Sequence, residues 1–538
     1  MAKTKAAEIK SKETKKPKTP SFVVEIPLQV DSCQDAQLFS RFEAARQLYN
    51  GCLSESRTRM QLVKASSLYL QASQNPRDQK QTRKVAFAAA RNAYRYTEYE
   101  LQKFAATMAT SCWIGEHLGS KLVQTIATRA FKATERLLFG QANKVRFKGK
   151  DRLHSIENKT NEESLRWKNN KVLWPAPRES KLSDIVLNPI IDQKDEVLTY
   201  ALTCRTKYVR IVKRNLNGKR RWSVQLICSG VPFHKSKNRL GDGLIGLDLG
   251  PSTVALVGDN WASLVPFCSE LADKSTTITK LQRQLARSSR MNNPDNYEPD
   301  FIKRKQGQKP KRKKGKVKKG SKQWKNSRRY LKLRAKKAEI ERRLAASRKS
   351  LQGRLVNQVL SQGKHVKMEK VSLKAWQKLW GKSIGRKAPG MFQSELIRKA
   401  EGAGGSALQF STRKTALSQV CLCGRKQKKP LSQRVHQCPC GIQMQRDLFS
   451  AFLSRYVDAQ TELLSCESAR DGWLRLEPIV RTAWQQASNL TCEQVSASER
   501  TSVTGSERVV RKLIAASQTK TDGHAEASAV NSIEPPSL

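Results

Sequence analysis

Residues 21–30, SFVVEIPLQV, alternate apolar and polar positions, the period-two pattern of a strand with one buried face. From residue 35 to 120 the period changes. Leu, Phe, Tyr and Ala recur at three- and four-residue spacing with few Gly or Pro, which predicts a helical bundle. The segment SKLVQTIATRAFKATERLLFG adds its last helix and stops before the basic KVRFKGK. Between 151 and 240 the period returns to two in SLRWKNNKVLWP, EVLTYALTCRTKYVRIVKRN and RRWSVQLICSG, and Asn217-Gly218 between the last two is a hairpin signal. With residues 21–30 these runs predict either a β-barrel interrupted by the helices or a separate β-domain.

A third region opens with GDGLIGLDLGPSTVALVGDN, two apolar runs joined by a Gly-Pro-Ser turn, and continues into the helical ITKLQRQLARSSR. A charge run follows in which eight of the eleven residues from 309 to 319 are Lys or Arg. The whole chain has 102 Lys and Arg against 46 Asp and Glu, a net charge of +56, which points to a polyanionic partner and excludes an ordinary enzyme of small molecules. The charge is uneven. Residues 456–538 hold 8 basic and 11 acidic residues, so the polyanion-binding part ends near Arg455. Beyond it lies a Ser/Thr-rich tail, expected to be weakly structured apart from an amphipathic piece at 473–487. No apolar stretch approaches the roughly 18 residues of a membrane span, and residues 1–20 read as a flexible basic arm without the apolar core of a signal peptide. Four of twelve cysteines crowd between 421 and 440, a metal-site density and not a disulfide scaffold, which suits a reducing compartment.

Asp248 lies inside the apolar run 244–249, where an unpaired carboxylate is costly to bury. Glu369 ends the short alternating run in GKHVKMEK, and Asp447 follows Arg446 at the start of the helical LFSAFLSRY. Acids at strand ends and helix starts suit convergence on divalent cations, and two Mg²⁺ about 4 Å apart serve phosphodiester cleavage. Cys421-Leu-Cys423-Gly424 and Cys438-Pro-Cys440-Gly441 place four thiols in two short units, as tetrahedral zinc requires, though the spacing is C-x-C where C-x-x-C is usual. His436 is read as a solvated loop residue in preference to a substitute ligand.

The order Gly246-Leu-Asp248-Leu-Gly250, then Glu369, then the paired cysteines, then Gln445-Arg446-Asp447 resembles the split RuvC nuclease domain, with inserted zinc ribbon, of TnpB transposon proteins and small type V CRISPR effectors. RAFKATERLLFG with KVRFKGK, and the stretch between Glu369 and the cysteines, extend the resemblance over residues 21–455. It implies an α/β multidomain fold: an RNase H-like RuvC domain with a zinc-ribbon insertion, a β-barrel wedge domain and an α-helical recognition domain. The expected layout is a disordered basic arm over 1–20, a first wedge strand over 21–34, a recognition domain over 35–145 and the wedge barrel over 146–240. RuvC then covers 241–410 with a basic helical arm at 301–345, the zinc unit 411–443, the last RuvC segment 444–455 and the tail 456–538.

The resemblance further implies an RNA-guided DNA endonuclease that reads a short motif beside its target. Asp248, Glu369 and Asp447 would be the catalytic, Mg²⁺-binding acids (two ions), and Cys421, Cys423, Cys438 and Cys440 the Zn²⁺ ligands. Guide RNA and target DNA would be the partners, with transposition or CRISPR-associated proteins beside them, no membrane, and a cytoplasmic, nucleoid-associated location in a prokaryote. Lys309, Lys311, Arg312, Lys313, Lys314, Lys316, Lys318 and Lys319, with Arg146 and Lys148, are the expected nucleic-acid contacts. Gln445 departs from the family, which often has an acid there. Two other functions fit the same residues: a guided binding protein with weak cleavage that recruits partners, and a DDE-type transposase that needs no RNA.

Overall fold

The computed structural model describes residues 20–498 except 77, 179, 306, 307, 321, 322 and 431. The expected N-terminal arm up to residue 19 and the tail from 499 lie outside the described residues. For residues 303–305, 308, 309, 311, 382 and 490–498 only the backbone is described.

In β1 (Ser21–Gln29) the apolar positions Phe22, Ile26 and Leu28 are the buried ones. The chain leaves it at Asp31, whose carboxylate accepts from the Gln34 N–H while the Gln34 amide oxygen accepts from the Asp31 N–H. This reciprocal cap starts α1 (Ser32–Ala65). There follow α2 (Ser67–Gln74), α3 (Lys80–Ala93), α4 (Glu98–Thr110), α5 (Ile114–His117) and α6 (Ser120–Leu138). Phe42 and Leu48 of α1, Leu101 of α4 and Ile126 and Phe131 of α6 share one core with the sheet residues Trp174, Val209 and Trp222. That sheet resumes with β2 (Ser155–Glu157), β3 (Arg166–Lys168), β4 (Lys171–Trp174) and β5 (Ile185–Pro189), then α7 (Glu196–Thr203), β6 (Thr206–Leu216) and β7 (Lys219–Ser229).

The strand order is β2-β6-β7-β1-β5-β4-β3, antiparallel throughout. Since β1 is central in a sheet whose other strands begin only at Ser155, the helices are an insertion into it. Asn217 and Gly218 take φ of 49° and 76°, the left-handed pair that a tight two-residue turn requires. Two expectations change. No ladder joins β2 to β3 among the described residues, so the sheet is a half-barrel and not a closed barrel; end strands of three residues are too short to wrap round. Residues 196–203, read as strand, are the helix α7, because the Asp195 carboxylate caps the Val197 N–H and Leu198 and Ala201 bury one helical face.

The third region forms β8 (Leu244–Leu249), β9 (Thr253–Val257) and β10 (Ala262–Pro266), then α8 (Ser275–Asn292). The expected helical arm differs. Its first part is a β-hairpin, β11 (Phe301–Lys305) with β12 (Gln308–Lys313), and helix begins only at α9 (Arg328–Gln362). Closely spaced Lys and Arg repel along a helix, whereas a two-stranded ribbon spreads them over two faces.

After α9 come β13 (His365–Glu369), α10 (Leu373–Lys387), α11 (Pro389–Gly402), β14 (Ser406–Phe410) and α12 (Thr412–Thr415). Then follow β15 (Val435–Gln437), β16 (Gln443–Gln445), α13 (Arg446–Ser454) and α14 (Cys466–Ser498). The second sheet has order β10-β9-β8-β13-β14, with β8, β13 and β14 parallel and β8, β9 and β10 antiparallel.

The helix α14 is longer than the amphipathic piece expected in the tail. Ala469, Trp473, Leu476, Val480 and Ala483 are buried in a core shared with Phe449 and Phe452 of α13, and the helix runs through Pro478. The chain divides into two compact units, Met1–Arg239 with Glu270–Asn357, and Leu240–Ser269 with Gln358–Leu538. Residues 270–357, expected with the third region, thus group with the first. Among the described residues no helix is long and apolar enough to cross a membrane.

Candidate active site and metal centre

The register between β8 and β13 pairs Leu247 with Met368, so Glu369 stands one step on, beside Asp248. Neighbouring residues of adjacent parallel strands project to the same face. Gly246 and Asp248 on β8 therefore share a face with Lys367 and Glu369 on β13, and α13 covers it. At Gly246 a Cβ would stand 2.0 Å from the Ala451 carbonyl oxygen, so only glycine admits the helix here. Two strand residues span about 6.6 Å and four helical residues about 6.0 Å. With Ala451 over Gly246, the antiparallel helix thus brings Asp447, in its first turn, to Asp248.

The far end of α13 is held by charge. The Lys367 ammonium donates to the carbonyls of Arg455 (2.9 Å) and Val457 (2.7 Å), capping the helix terminus. Arg455, 6% exposed, donates to the carbonyls of Leu244 and Val257 and pairs with Asp259, whose carboxylate also accepts from the Leu244 N–H. At the near end the Gln445 side chain accepts from the Leu448 N–H at 2.6 Å. Gln445 is thus the N-cap of α13.

The three carboxylates interact. Burial first, then the negative charges of Asp447 and Glu369, holds the Asp248 carboxyl well above its ordinary pKa, against the opposing pull of Arg446 and Arg434. Burial likewise raises Glu369, opposed by the Leu417 N–H and the Thr415 hydroxyl. The Thr415 hydroxyl donates to Glu369 at 3.4 Å and the Thr253 hydroxyl to Asp447 at 3.3 Å. Arg446, buried, contacts the Asp447 carboxylate at 3.4 Å while donating to the carbonyls of Pro430 and Gln433; Arg434, half-exposed, lies 3.8 Å from it. This donor set, all oxygen and short of compensating positive charge, fits hard divalent cations.

The sequence reading did not include Lys367, Thr253, Thr415 or Arg434. Lys367 had a signal: two residues before Glu369, it shares that residue's face of the strand and needs buried acceptors.

Each cysteine pair sits on the same turn. The Gly424 N–H donates to the Cys421 carbonyl and the Cys421 N–H to that of Arg425; the Gly441 N–H donates to Cys438 and the Cys438 N–H to Ile442. Gly424 and Gly441 take φ of 82° and 92°, so the glycine after each pair supplies the left-handed step that brings two sulfurs only two residues apart to one side. All four sulfurs lie within 4.8 Å of one another, with Cys421–Cys440 at 3.5 Å and Cys423–Cys438 at 3.6 Å. A zinc tetrahedron with bonds of about 2.3 Å has sulfur–sulfur edges of about 3.8 Å. The C-x-C spacing is therefore compatible with zinc. Among the described residues this is the one group of three or more Cys, His, Asp or Glu placed to hold a metal ion together.

His436 is not a solvated loop residue. It lies in β15, 2% exposed, its ring 4.4 Å from that of Phe449 in α13 and its Nδ1 against the Lys429 ammonium, and burial with that charge pushes its pKa down to about 4. Nor does it belong to the sulfur cluster. Its place is packing between the cysteine unit and the helix that carries Asp447.

The basic residues divide between two places. Arg146 and Lys148 lie in the irregular stretch after α6, where Asn50 holds the Lys148 backbone by its N–H and its carbonyl, both at 2.8 Å. Arg312, Lys313, Lys314, Lys316, Lys318 and Lys319 are exposed on or after the hairpin; the side chains of Lys309 and Lys311 lie outside the description.

No protein-family model and no curated protein matches the chain. Among solved structures it is similar to a cryo-EM structure of a Cas12f1–sgRNA–target DNA complex, with a TM-score of 0.38 and 11% identity over 81% of this chain and 98% of that one. It is also similar to a cryo-EM structure of a CRISPR-Cas12f ternary complex, with a TM-score of 0.25 and 12% identity over 78% of this chain and 81% of that one.

Proposed function

We propose that the chain is an RNA-guided DNA endonuclease with a metal-dependent RuvC-type site at Asp248, Glu369 and Asp447 and one zinc on the four cysteines. The observation that carries this is the convergence of three acids, distant in sequence, on one face of the mixed sheet, with Asp248 held above its ordinary pKa by burial and by the other two. An acid cluster partly withdrawn from water is costly unless cations join it. Bound divalent cations would polarise the phosphodiester and make water a better nucleophile.

The chain's own residues hold that site. The Thr253 and Thr415 hydroxyls orient the carboxylates of Asp447 and Glu369, and the half-exposed Arg434 offers a guanidinium to a phosphate beside them. The net charge of +56 supplies the field for a guide and a target. That the nucleic acid includes an RNA guide rests on the order of motifs from Gly246 to Asp447. The test is to purify the protein from its native locus, sequence any bound RNA, and assay cutting of the matched DNA in Mg²⁺. One defined RNA species with Mg²⁺-dependent cutting is expected; no RNA would favour a transposase.

One observation favours a guided binder without strong cleavage. The buried Arg446 guanidinium lies 3.4 Å from the Asp447 carboxylate and competes with a cation for it. Tight guided binding with no cutting in Mg²⁺ or Mn²⁺ would establish that reading.

A further inference from the structure

We propose that the β11–β12 hairpin is a groove-reading ribbon that enters the major groove of B-form duplex DNA. Its partner is thus a double-stranded segment, not the guide. The inference rests on the reading of the chain as a DNA-binding protein and gives the basic run a defined geometry.

Three observations carry it. The first is charge: residues 301–319 hold eleven Lys or Arg and no Asp or Glu, so phosphate is the complementary surface. The second is the mount, which distinguishes the ribbon from a solvated tail. The Asp300 carboxylate accepts from the Gly315 N–H at 3.0 Å and pairs with Arg290 and Arg312, and Arg290 donates to the Gly315 carbonyl at 2.6 Å. The Glu298 N–H bonds the Lys316 carbonyl and the Lys318 N–H that of Asn296, so both legs are fixed to the segment after α8. A Cβ on Gly315 would stand 1.7 Å from the Glu298 carbonyl oxygen, so the crossing at the base is close. Tyr297 and Trp324 pack edge to face beneath it at 5.8 Å.

The third observation is apolar exposure where charge alone would suffice for phosphates. Phe301 is 48%, Ile302 62% and Val317 47% exposed. Apolar side chains gain nothing from a phosphate, but they do gain from thymine methyl groups on the floor of a major groove.

Dimensions select the groove. Paired strands lie about 4.8 Å apart and five residues reach about 17 Å. A major groove about 12 Å wide and 8.5 Å deep admits such a ribbon, whereas the minor groove is about 6 Å wide and the A-form major groove of RNA is too narrow for side chains to read.

The experiment uses the full chain without guide, fluorescein-labelled 20-base-pair duplexes of DNA and of RNA with one sequence, and dimethyl sulfate footprinting. The probe alkylates guanine N7 in the major groove and adenine N3 in the minor groove. Wild type is expected to prefer the DNA duplex and to protect N7. The triple variant Arg312→Gln/Lys313→Gln/Lys314→Gln should lose about 100-fold in affinity at 0.15 M salt, with the slope of log K on log salt flatter by about 2.7 if each residue makes one contact. Ile302→Ser should leave that slope unchanged and remove the N7 protection. Protection of N3 alone, equal affinity for both duplexes, or wild-type footprints from Ile302→Ser would each overturn the proposal. None of these readouts involves cutting or guide RNA. Wild-type footprints from Ile302→Ser with matched-target cutting intact would sink the ribbon and leave the nuclease standing, while N7 protection that Ile302→Ser removes, from a protein that co-purifies with no RNA from its native locus and cuts no DNA in Mg²⁺, would do the reverse.

Discussion

Gly246→Ala tests the geometry of the site without touching a carboxylate. The added Cβ would stand 2.0 Å from the Ala451 carbonyl oxygen, 2.6 Å from the Ser454 hydroxyl and 2.7 Å from Arg455. Ordinary contact begins near 3.4 Å, so the strand and α13 must separate by about 1.4 Å. The obstructing atom is a backbone oxygen, so trimming Ala451 would not relieve it. Overpacking of this kind costs about 1–3 kcal/mol of stability. Asp447 rides on the displaced helix, and a misplacement of about 1 Å costs about 100-fold in rate, equivalent to about 2.7 kcal/mol of barrier. The assay is single-turnover cutting of a matched DNA in Mg²⁺ by guide-loaded protein, with target affinity and thermal melting measured alongside. Expected are a folded protein with a lowered melting point, near-normal target affinity and a rate down about 100-fold. Gly353→Ala is the control, because a Cβ there meets nothing within 4 Å and should be neutral or slightly stabilising. Wild-type cutting by Gly246→Ala would refute the claim that α13 positions Asp447 through this contact.

The remaining predictions use the same preparation. Replacing any one of Asp248, Glu369 and Asp447 by Ala should remove most of the cutting rate and leave target binding intact, and the double variant Asp248→Ala/Asp447→Ala should be hardly worse than either single one; near-wild-type cutting by Asp248→Ala would remove the nuclease assignment. Asp248→Asn should stabilise the protein in chelator. A carboxyl whose folded pKa is raised opposes folding once the pH exceeds its unfolded value of about 3.9, and fully so above the folded value, so the gain in melting temperature should appear at pH 8 and vanish near pH 3.5. Cys438→Ser should release one zinc per chain on metal analysis and open residues 419–445 to protease, since the two short hairpins have no core of their own. Trp473→Ala should cost about 3–5 kcal/mol, because the indole packs edge-on against Phe449 (5.4 Å) and Phe452 (4.9 Å), whereas a stop after residue 490 should leave binding unchanged.

What the sequence disclosed and what it withheld follow from the range of each interaction. The strand at 21–29, the Asn217-Gly218 turn and the cysteine units are local patterns, and each is legible in a window of ten residues or so. The acids were legible because a carboxylate in an apolar run is anomalous on its own. The devices that hold them were not. Gly246 looks like any glycine of a strand until Ala451, two hundred residues later, lies on it. Local rules also misled where context overrode them. The expected amphipathic piece began only after Gly472, yet α14 runs from Cys466 through Gly472, which packs against the Tyr456 ring, and on through Pro478, whose carbonyl accepts from the Thr482 hydroxyl. The run 301–313 carries a charge signal but no apolar periodicity, and its hairpin is set by side-chain anchors at its base, none of which a periodicity scan weighs.

One consequence concerns the cysteine unit, which adjoins the acid cluster through backbone as well as packing. β16 ends at Gln445, which caps α13, and the Arg446 N–H bonds the Arg434 carbonyl at 2.8 Å. Arg434 and Arg446 then both turn their guanidinium groups toward Asp447. His436 and Phe449 add a ring contact between the same two elements. A zinc that fixes Cys438 and Cys440 would therefore fix the hairpin whose last residue starts the helix that carries Asp447, and its loss would act on Asp447 through a chain of only eight residues, from Cys440 to Asp447. Metal in the ribbon and cutting at the sheet should consequently fall together, in the order zinc first, whereas loss of Mg²⁺ should stop cutting and leave the ribbon folded.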